Sequence, residues 1–273
     1  MQGGFRSCVG GCFGVWWGQM IFCIQFLTVL TLLGCGAAAV AGGMRRQEAA
    51  RFFFALGGGS ALLLFTANAV LAQAPPFGNM RQVLSFFPLV MAPTAYYLRR
   101  CRGAELTGWL AGAAAVAAMG ACCMPLQAHW RQMPALQSPW FAPHVTAYVL
   151  AYGLLAVSAV LAAASCFRRS AAAETEDMNA ADALVRLAFP FLCFGLGSGA
   201  LWADAAWGTY WGWDIKEAWS LLTWGLYLLY FHAARPLPSY RRPLLLLGFA
   251  AVIITFLVVN LLPQIQSLHS YAS

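Results

Sequence analysis

Residues 140–166 read WFAPHVTAYVLAYGLLAVSAVLAAASC, from Trp140 to Cys166, without one Asp, Glu, Lys or Arg. A helix crossing a bilayer needs about 20 mainly apolar residues, with a range of about 17–25. This run meets that length and lacks the two-residue alternation of a strand in a membrane barrel. Working outward in both directions, further runs of the same kind occupy 17–41, 52–73, 82–98, 107–126, 186–203, 215–232 and 243–262. The reading is an all-α fold: a polytopic transmembrane helical bundle of about eight spans.

Composition supports it. Of the 273 residues 61% are hydrophobic and 9% charged, whereas a soluble domain carries about 25% charged residues. Mean hydropathy is +0.68. Such a chain cannot clothe a globule in polar surface, which excludes a soluble enzyme, a disordered tail and a nucleic-acid-binding domain. Its primary partner is the lipid bilayer. The formal charge of +7 is spread over connections between spans and forms no patch for nucleic acid. No Asp, Glu, Lys or Arg sits midway along an expected span, and ion-coupled transporters and proton pumps usually need an ionisable group there.

The basic residues also set the orientation, because they favour the cytoplasmic side. Arg45, Arg46, Arg51, Arg99, Arg100, Arg102, Arg168, Arg169, Arg186, Arg235, Arg241 and Arg242 fall on one side of an eight-span arrangement, and Arg6, Arg81, Arg131 and Lys216 on the other. Both termini are therefore expected outside the cytoplasm, in a multi-pass protein of the cytoplasmic (inner) membrane. Polar residues from Ser170 to Asp182 read as a cytoplasmic linker. The nine cysteines lie mostly within apolar runs, and the absence of a C-x-x-C pair argues against covalent haem attachment to this chain.

Six of the eleven tryptophans crowd into 202–224, which includes WADAAWGTYWGWDIKEAW from Trp202 to Trp219. Tryptophan favours membrane interfaces, but a belt would distribute it over many helix ends. Asp214 and Glu217 fit a capping box that starts a helix at Ile215, leaving Trp202–Trp213 as an outer loop or surface-lying segment. Indole faces beside glycine-rich backbone suit a large planar aromatic ligand. Lys216, Arg81 or Arg131 could meet its carboxylates. Of the four histidines, His129, His144 and His269 fall near the outer face and His232 at the inner end of the seventh span. Two neutral imidazoles can ligate a haem iron from opposite faces, and the residue pattern alone does not choose which two.

Trp207-Gly208-x-x-Trp211-x-Trp213-Asp214 resembles the WWD segment of haem-handling proteins in cytochrome c maturation. Its continuation from Lys216-Glu217 to Trp224 is similar to the CcsA family of System II rather than to the System I protein CcmC. Leu136-Gln137-Ser138-Pro139-Trp140 leading into His144-Val145, and the terminal Leu268-His269-Ser270-Tyr271, are similar to that family too. The resemblance departs at Asp204, where the family commonly has Asn, and at Ile215, where Pro is usual.

The resemblance implies cytochrome c biogenesis. Haem b would be held non-covalently on Trp207, Trp211, Trp213 and Asp214, with His144 and His269 as iron ligands and His232 where haem is received. It divides the chain into transmembrane spans at 1–133 and a haem-handling (WWD) region at 134–273. It further implies a CcsB-like membrane partner, apocytochrome c as acceptor, and a role as component of a holocytochrome c synthase. A haem-binding regulator of the HemX type, or a transporter of another planar or lipidic substrate, is the alternative.

Overall fold

The computed structural model describes residues 4–72, 75–103, 105–126, 134–233 and 237–258. Among them the secondary structure is helical, with no strand. Eight α-helices follow in order: α1 Gly4–Gly43, α2 Gln47–Ala72, α3 Met80–Arg102, α4 Thr107–Cys123, α5 Phe141–Ser165, α6 Ala171–Trp207, α7 Ile215–Ala233 and α8 Arg241–Ile253. A 3₁₀ turn at Pro134–Gln137 precedes α5, and a π turn at Ile254–Val258 widens the end of α8. Among the described residues, five stretches are long and apolar enough to cross a membrane: Gln19–Gly43, Gln47–Leu71, Phe141–Ser165, Ala171–Trp207 and Arg241–Val258. α4 is a shorter apolar helix of 17 residues. α3, with Pro88 and Pro93 inside it, and the 19-residue α7 coincide with the remaining expected spans but fall outside that group.

Helices α1, α2 and α4 pack together with α3, and α5 pairs with α6 while α7 pairs with α8. α5 joins the two groups, touching α3 and α4 on one side and α6 and α8 on the other. Its apolar stretch is 72% buried, against 28% to 33% for the other four. The run that decides the fold from sequence is thus the central helix, and the others turn apolar surface outward, as a lipid solvent permits. With lipid around it, a bundle gains little from hiding apolar side chains and depends on close backbone approach and interhelical hydrogen bonds. Both occur here. A Cβ on Gly42 of α1 would stand 2.6 Å from the Gly108 Cα of α4, and Thr31 and Ser60 hydroxyls pair at 2.8 Å between α1 and α2. The Ser158 hydroxyl of α5 donates to the Ala181 carbonyl of α6 at 2.9 Å.

Two sequence expectations are corrected. The polar stretch from Ser170 to Asp182 is not a linker but the first turns of α6. Ser170 caps the helix by accepting the Ala173 N–H at 3.3 Å, and Ala171–Ala173 favour helix by propensity. Tertiary contacts then fix the extension: Arg168 with Asp177 at 2.5 Å, Arg242 with Glu174 at 2.5 Å, and the Tyr230 hydroxyl donating to Asp182 at 3.0 Å. At the other end, Trp202–Trp207 are the last turns of α6 rather than loop. The helix stops at Gly208, whose φ of 76° lets its N–H reach the Asp204 carbonyl at 2.8 Å.

Arg51 of α2 also bonds Glu105, in the connection before α4. Burial pushes the Glu105 carboxyl up, but the Thr107 hydroxyl and the Arg51 guanidinium outweigh it and hold the group below the ordinary glutamate value.

Candidate functional site

A cavity of about 250 Å³ opens between the end of α6, the starts of α5 and α7, the π turn and the start of α3. Its walls are mainly apolar and aromatic, among them Phe141, Tyr148, Tyr152, Trp202, Trp211 and Phe256. Polar atoms come from His144, Lys216, Glu217, Ser220 and Asn79. The lining crosses residue 133, since Phe77–Met80, Val83 and Met124 contribute as well.

His144 lies one turn into α5. Its Nδ1 stands 2.8 Å from the Gly195 carbonyl oxygen of α6. A carbonyl only accepts, so in the neutral ring Nδ1 carries the proton and Nε2 the lone pair. Fixing the tautomer through one nitrogen in this way prepares the other to ligate a metal. The ring plane is set as well. Trp202 packs on it at 5.4 Å with an interplanar angle of 33°, and Tyr148 meets it edge-on at 4.9 Å. Trp202 itself is 2% exposed and is locked by Phe141 at 5.0 Å and by its Nε1–H donating to the Ala135 carbonyl at 2.7 Å.

Gly199 completes the seat, because a Cβ there would lie 2.7 Å from both Cε1 and Nδ1 of His144. Gly199→Ala is therefore expected to push the imidazole off the Gly195 carbonyl, an overpacking that costs about 1–3 kcal/mol. The check is thermal unfolding in detergent, where its melting temperature should fall. Gly197→Ala is the control, since its Cβ would meet nothing within 4 Å; equal melting temperatures for the two variants would contradict the seat.

The tryptophans divide by role. Trp207 closes α6 with its ring 5.0 Å from Trp202. Trp211 lines the cavity, and its buried Nε1 has no hydrogen-bond partner. Trp213 is 71% exposed and stands edge-on to Trp211 at 5.9 Å. Its φ of 55° is in the left-handed region, unusual for a bulky residue. Glu217 brackets that turn, Oε2 accepting the N–H of Gly212 at 2.8 Å and of Asp214 at 3.1 Å. Asp214 accepts the Lys216 N–H at 3.3 Å. The expected capping box is present, with the Asp214 side chain bonding one residue earlier than the usual third position.

The other expected site residues lie elsewhere. His232 is exposed on the last turn of α7, about 24 Å along the helix axis from Lys216 at 1.5 Å per residue. His269, like His129 and Arg131, lies outside the described residues. Arg81 is in a separate small pocket, donating to the Met124 carbonyl at 2.8 Å, so of the two described cations considered for a carboxylate, Lys216 is the one that lines the cavity. Among the described residues no group of three His, Cys, Asp or Glu could hold a bare metal ion. What the site offers is one prepared imidazole, flat aromatic walls and an orphaned indole N–H. That set fits an iron already held in a planar macrocycle. Gly195, Gly199 and Tyr148 escaped sequence reasoning; the four-residue spacing of Gly195, Gly199 and Ala203 was the available signal.

A family model described as cytochrome c assembly protein matches residues 56–267. A protein named cytochrome c biogenesis protein CcsA from Guillardia theta is 30% identical over 232 residues, 72% of this chain and 76% of that protein. The chain belongs to the CcsA family of cytochrome c assembly proteins. Its CcsA relative from Gloeobacter violaceus is 48% identical over 118 residues, 42% of this chain but only 34% of the relative, so that match spans about a third of the relative's length. The Thermosynechococcus vestitus relative is 28% identical over 312 residues, covering 94% of this chain and 96% of its own. Among solved structures, a cytochrome c heme lyase, CcmF, superposes with a TM-score of 0.59 at 20% identity, over 87% of this chain and 46% of that one. That likeness shows a shared helical fold.

Proposed function

We propose that the protein acts in cytochrome c biogenesis by holding haem b non-covalently at the outer face of the cytoplasmic membrane and presenting it to apocytochrome c. The observation that carries this reading is His144, seated in an apolar cavity with Nδ1 committed to the Gly195 carbonyl and Nε2 left as the basic nitrogen. His144 supplies one axial ligand and His269 the other. The cavity is somewhat smaller than the 300–1,000 Å³ usual for small-molecule pockets. An edge of the macrocycle therefore enters it, and the rest lies against Trp207, Trp211, Trp213 and the Asp214 turn. His232 marks the inner end, where haem is received, and a CcsB-like membrane protein is the partner.

The haem supplies the vinyl groups to which cysteine thiols of the apocytochrome add. The residues of this chain bind the ring, keep its ligated imidazole in one plane and hold the vinyl edge towards the peptide. Positioning of that kind is a large part of catalysis in a synthase of which this chain is a component. The protein purified in detergent is expected to show a Soret band, with sharp α and β bands on reduction. A strain lacking it is expected to lose its c-type cytochromes and keep its b-type ones. A colourless protein that takes up no added haem, or a strain that keeps its c-type cytochromes, would overturn the reading.

A further inference from the structure

Two residues that carry hydrogen-bond donors, Trp211 and Lys216, line the cavity. Trp211 Nε1 is buried there without a partner, and an unmet buried donor costs about 1–3 kcal/mol. Such groups are rare in folded proteins and point to a missing acceptor. The lining also includes Lys216, which is the only Lys or Arg among the described residues of the wall. The acid in the same wall is Glu217, whose Oε2 serves the N–H groups of Gly212 and Asp214, and the Asp214 carboxylate acts on the Lys216 ammonium from outside the wall. His144 and Tyr148 of α5 and Trp202 of α6 line the cavity as well. The lining thus holds two kinds of polar group: an imidazole between aromatic rings on α5, and an ammonium with an orphaned indole N–H in and before the first turn of α7.

We infer that Trp211 and Lys216 form a carboxylate subsite, which receives an anionic group carried on the rim of the flat ligand that His144 engages. The inference rests on the haem reading, and for haem the groups are its two propionates. A carboxylate gives the indole N–H its acceptor and meets the ammonium in a charge-assisted hydrogen bond, roughly twice as strong as a neutral one. It also gives the ligand one orientation in its own plane. With a propionate held at the α7 start, the edges without carboxylates, which bear the vinyl groups, are turned away from Lys216. Flat walls and an axial imidazole cannot fix that rotation, because both are indifferent to how the disc is turned about the iron.

The test is a Soret titration of the purified full chain with haem and with haem dimethyl ester, which keeps iron, ring and vinyl groups but lacks both negative charges. Wild type is expected to bind haem at least about tenfold more tightly than the ester, the ratio one charged hydrogen bond provides. Lys216→Met should bring the two affinities within about twofold, Trp211→Phe should narrow the gap less, and Lys216→Arg should keep it. Equal binding of both ligands by wild type, or an undiminished ratio in Lys216→Met, would overturn the subsite and leave the haem reading standing. No Soret change with either ligand would instead remove the haem reading itself. Oleate, a carboxylate without a ring, separates a porphyrin site from a lipid one. Failure of oleate to displace haem is expected, and displacement at matched concentration would assign these residues to lipid and overturn the proposal.

Discussion

His144→Ala is expected to abolish accumulation of c-type cytochromes while the protein still reaches the membrane in normal amount. The ring does three things at once: it bonds Gly195, fills the space over Gly199 and presents Nε2. Losing a residue that merely orients a metal-bound histidine already weakens binding about 10–100-fold, so losing the ligand itself should cost at least about the upper end of that range. Soret titration of the purified variant measures it. Truncation to alanine also leaves a slot shaped for a five-membered ring, so millimolar imidazole in the growth medium should restore part of the maturation. A residue needed only for packing would not be rescued with a ligand's spectrum. Normal maturation in His144→Ala would sink the ligand assignment, and His269→Ala is the companion test for the second ligand.

Glu217→Ala should be the most damaging single change in the tryptophan loop. The residue is 8% exposed, and one of its oxygens accepts two backbone N–H groups that flank Trp213. Removing it leaves two donors unmet, at about 1–3 kcal/mol for each that stays buried. It also frees a left-handed Trp213 whose strained backbone, costing about 1–3 kcal/mol, is held by those same bonds. The loop then relaxes, Trp211 and Trp213 lose their edge-on contact, and α7 loses its reciprocal cap. Melting temperature and haem affinity should fall together. Glu217→Gln, which keeps an acceptor oxygen at the same place, should recover most of both. A Glu217→Ala protein with wild-type melting and wild-type haem affinity would show that the loop is held by something other than this carboxylate.

Much of this arrangement is legible in the sequence where local physics decides. The uninterrupted run at 140–166 gives α5 within a residue at each end, and Asp214 with Glu217 gives the start of α7, because length, apolarity and capping are properties of the chain itself. Reading fails where tertiary contacts decide. The charges at Glu174, Glu176 and Asp177 look like a solvated linker. They are helix from the Ser170 cap onward, braced by Arg168 on Asp177 nine residues away and by Arg242 on Glu174 across 68 residues of sequence. Trp202 looks like the first residue of an aromatic loop, yet it is a buried helical residue facing His144. No pattern in the segment announces that partner. Family resemblance marks His144, but the carbonyl that sets its tautomer lies 51 residues away. Asn79, Met80 and Met124, from the first half of the chain, enter the cavity wall for the same reason: only the docking of the two helix groups brings them there.

That docking has a thermodynamic side. The cavity is walled by the start of α3 from one helix group and by α5, α6, α7 and the π turn from the other. Whatever fills it acts as a bolt across the seam. By linkage, a ligand that prefers the closed seam stabilises it in proportion to the ratio of its affinities for the two states. Reciprocity then requires that any protein which pries the helix groups apart weakens ligand binding by the same factor. A partner arriving at the seam can unload the molecule by leverage alone, without competing for a single contact inside the cavity.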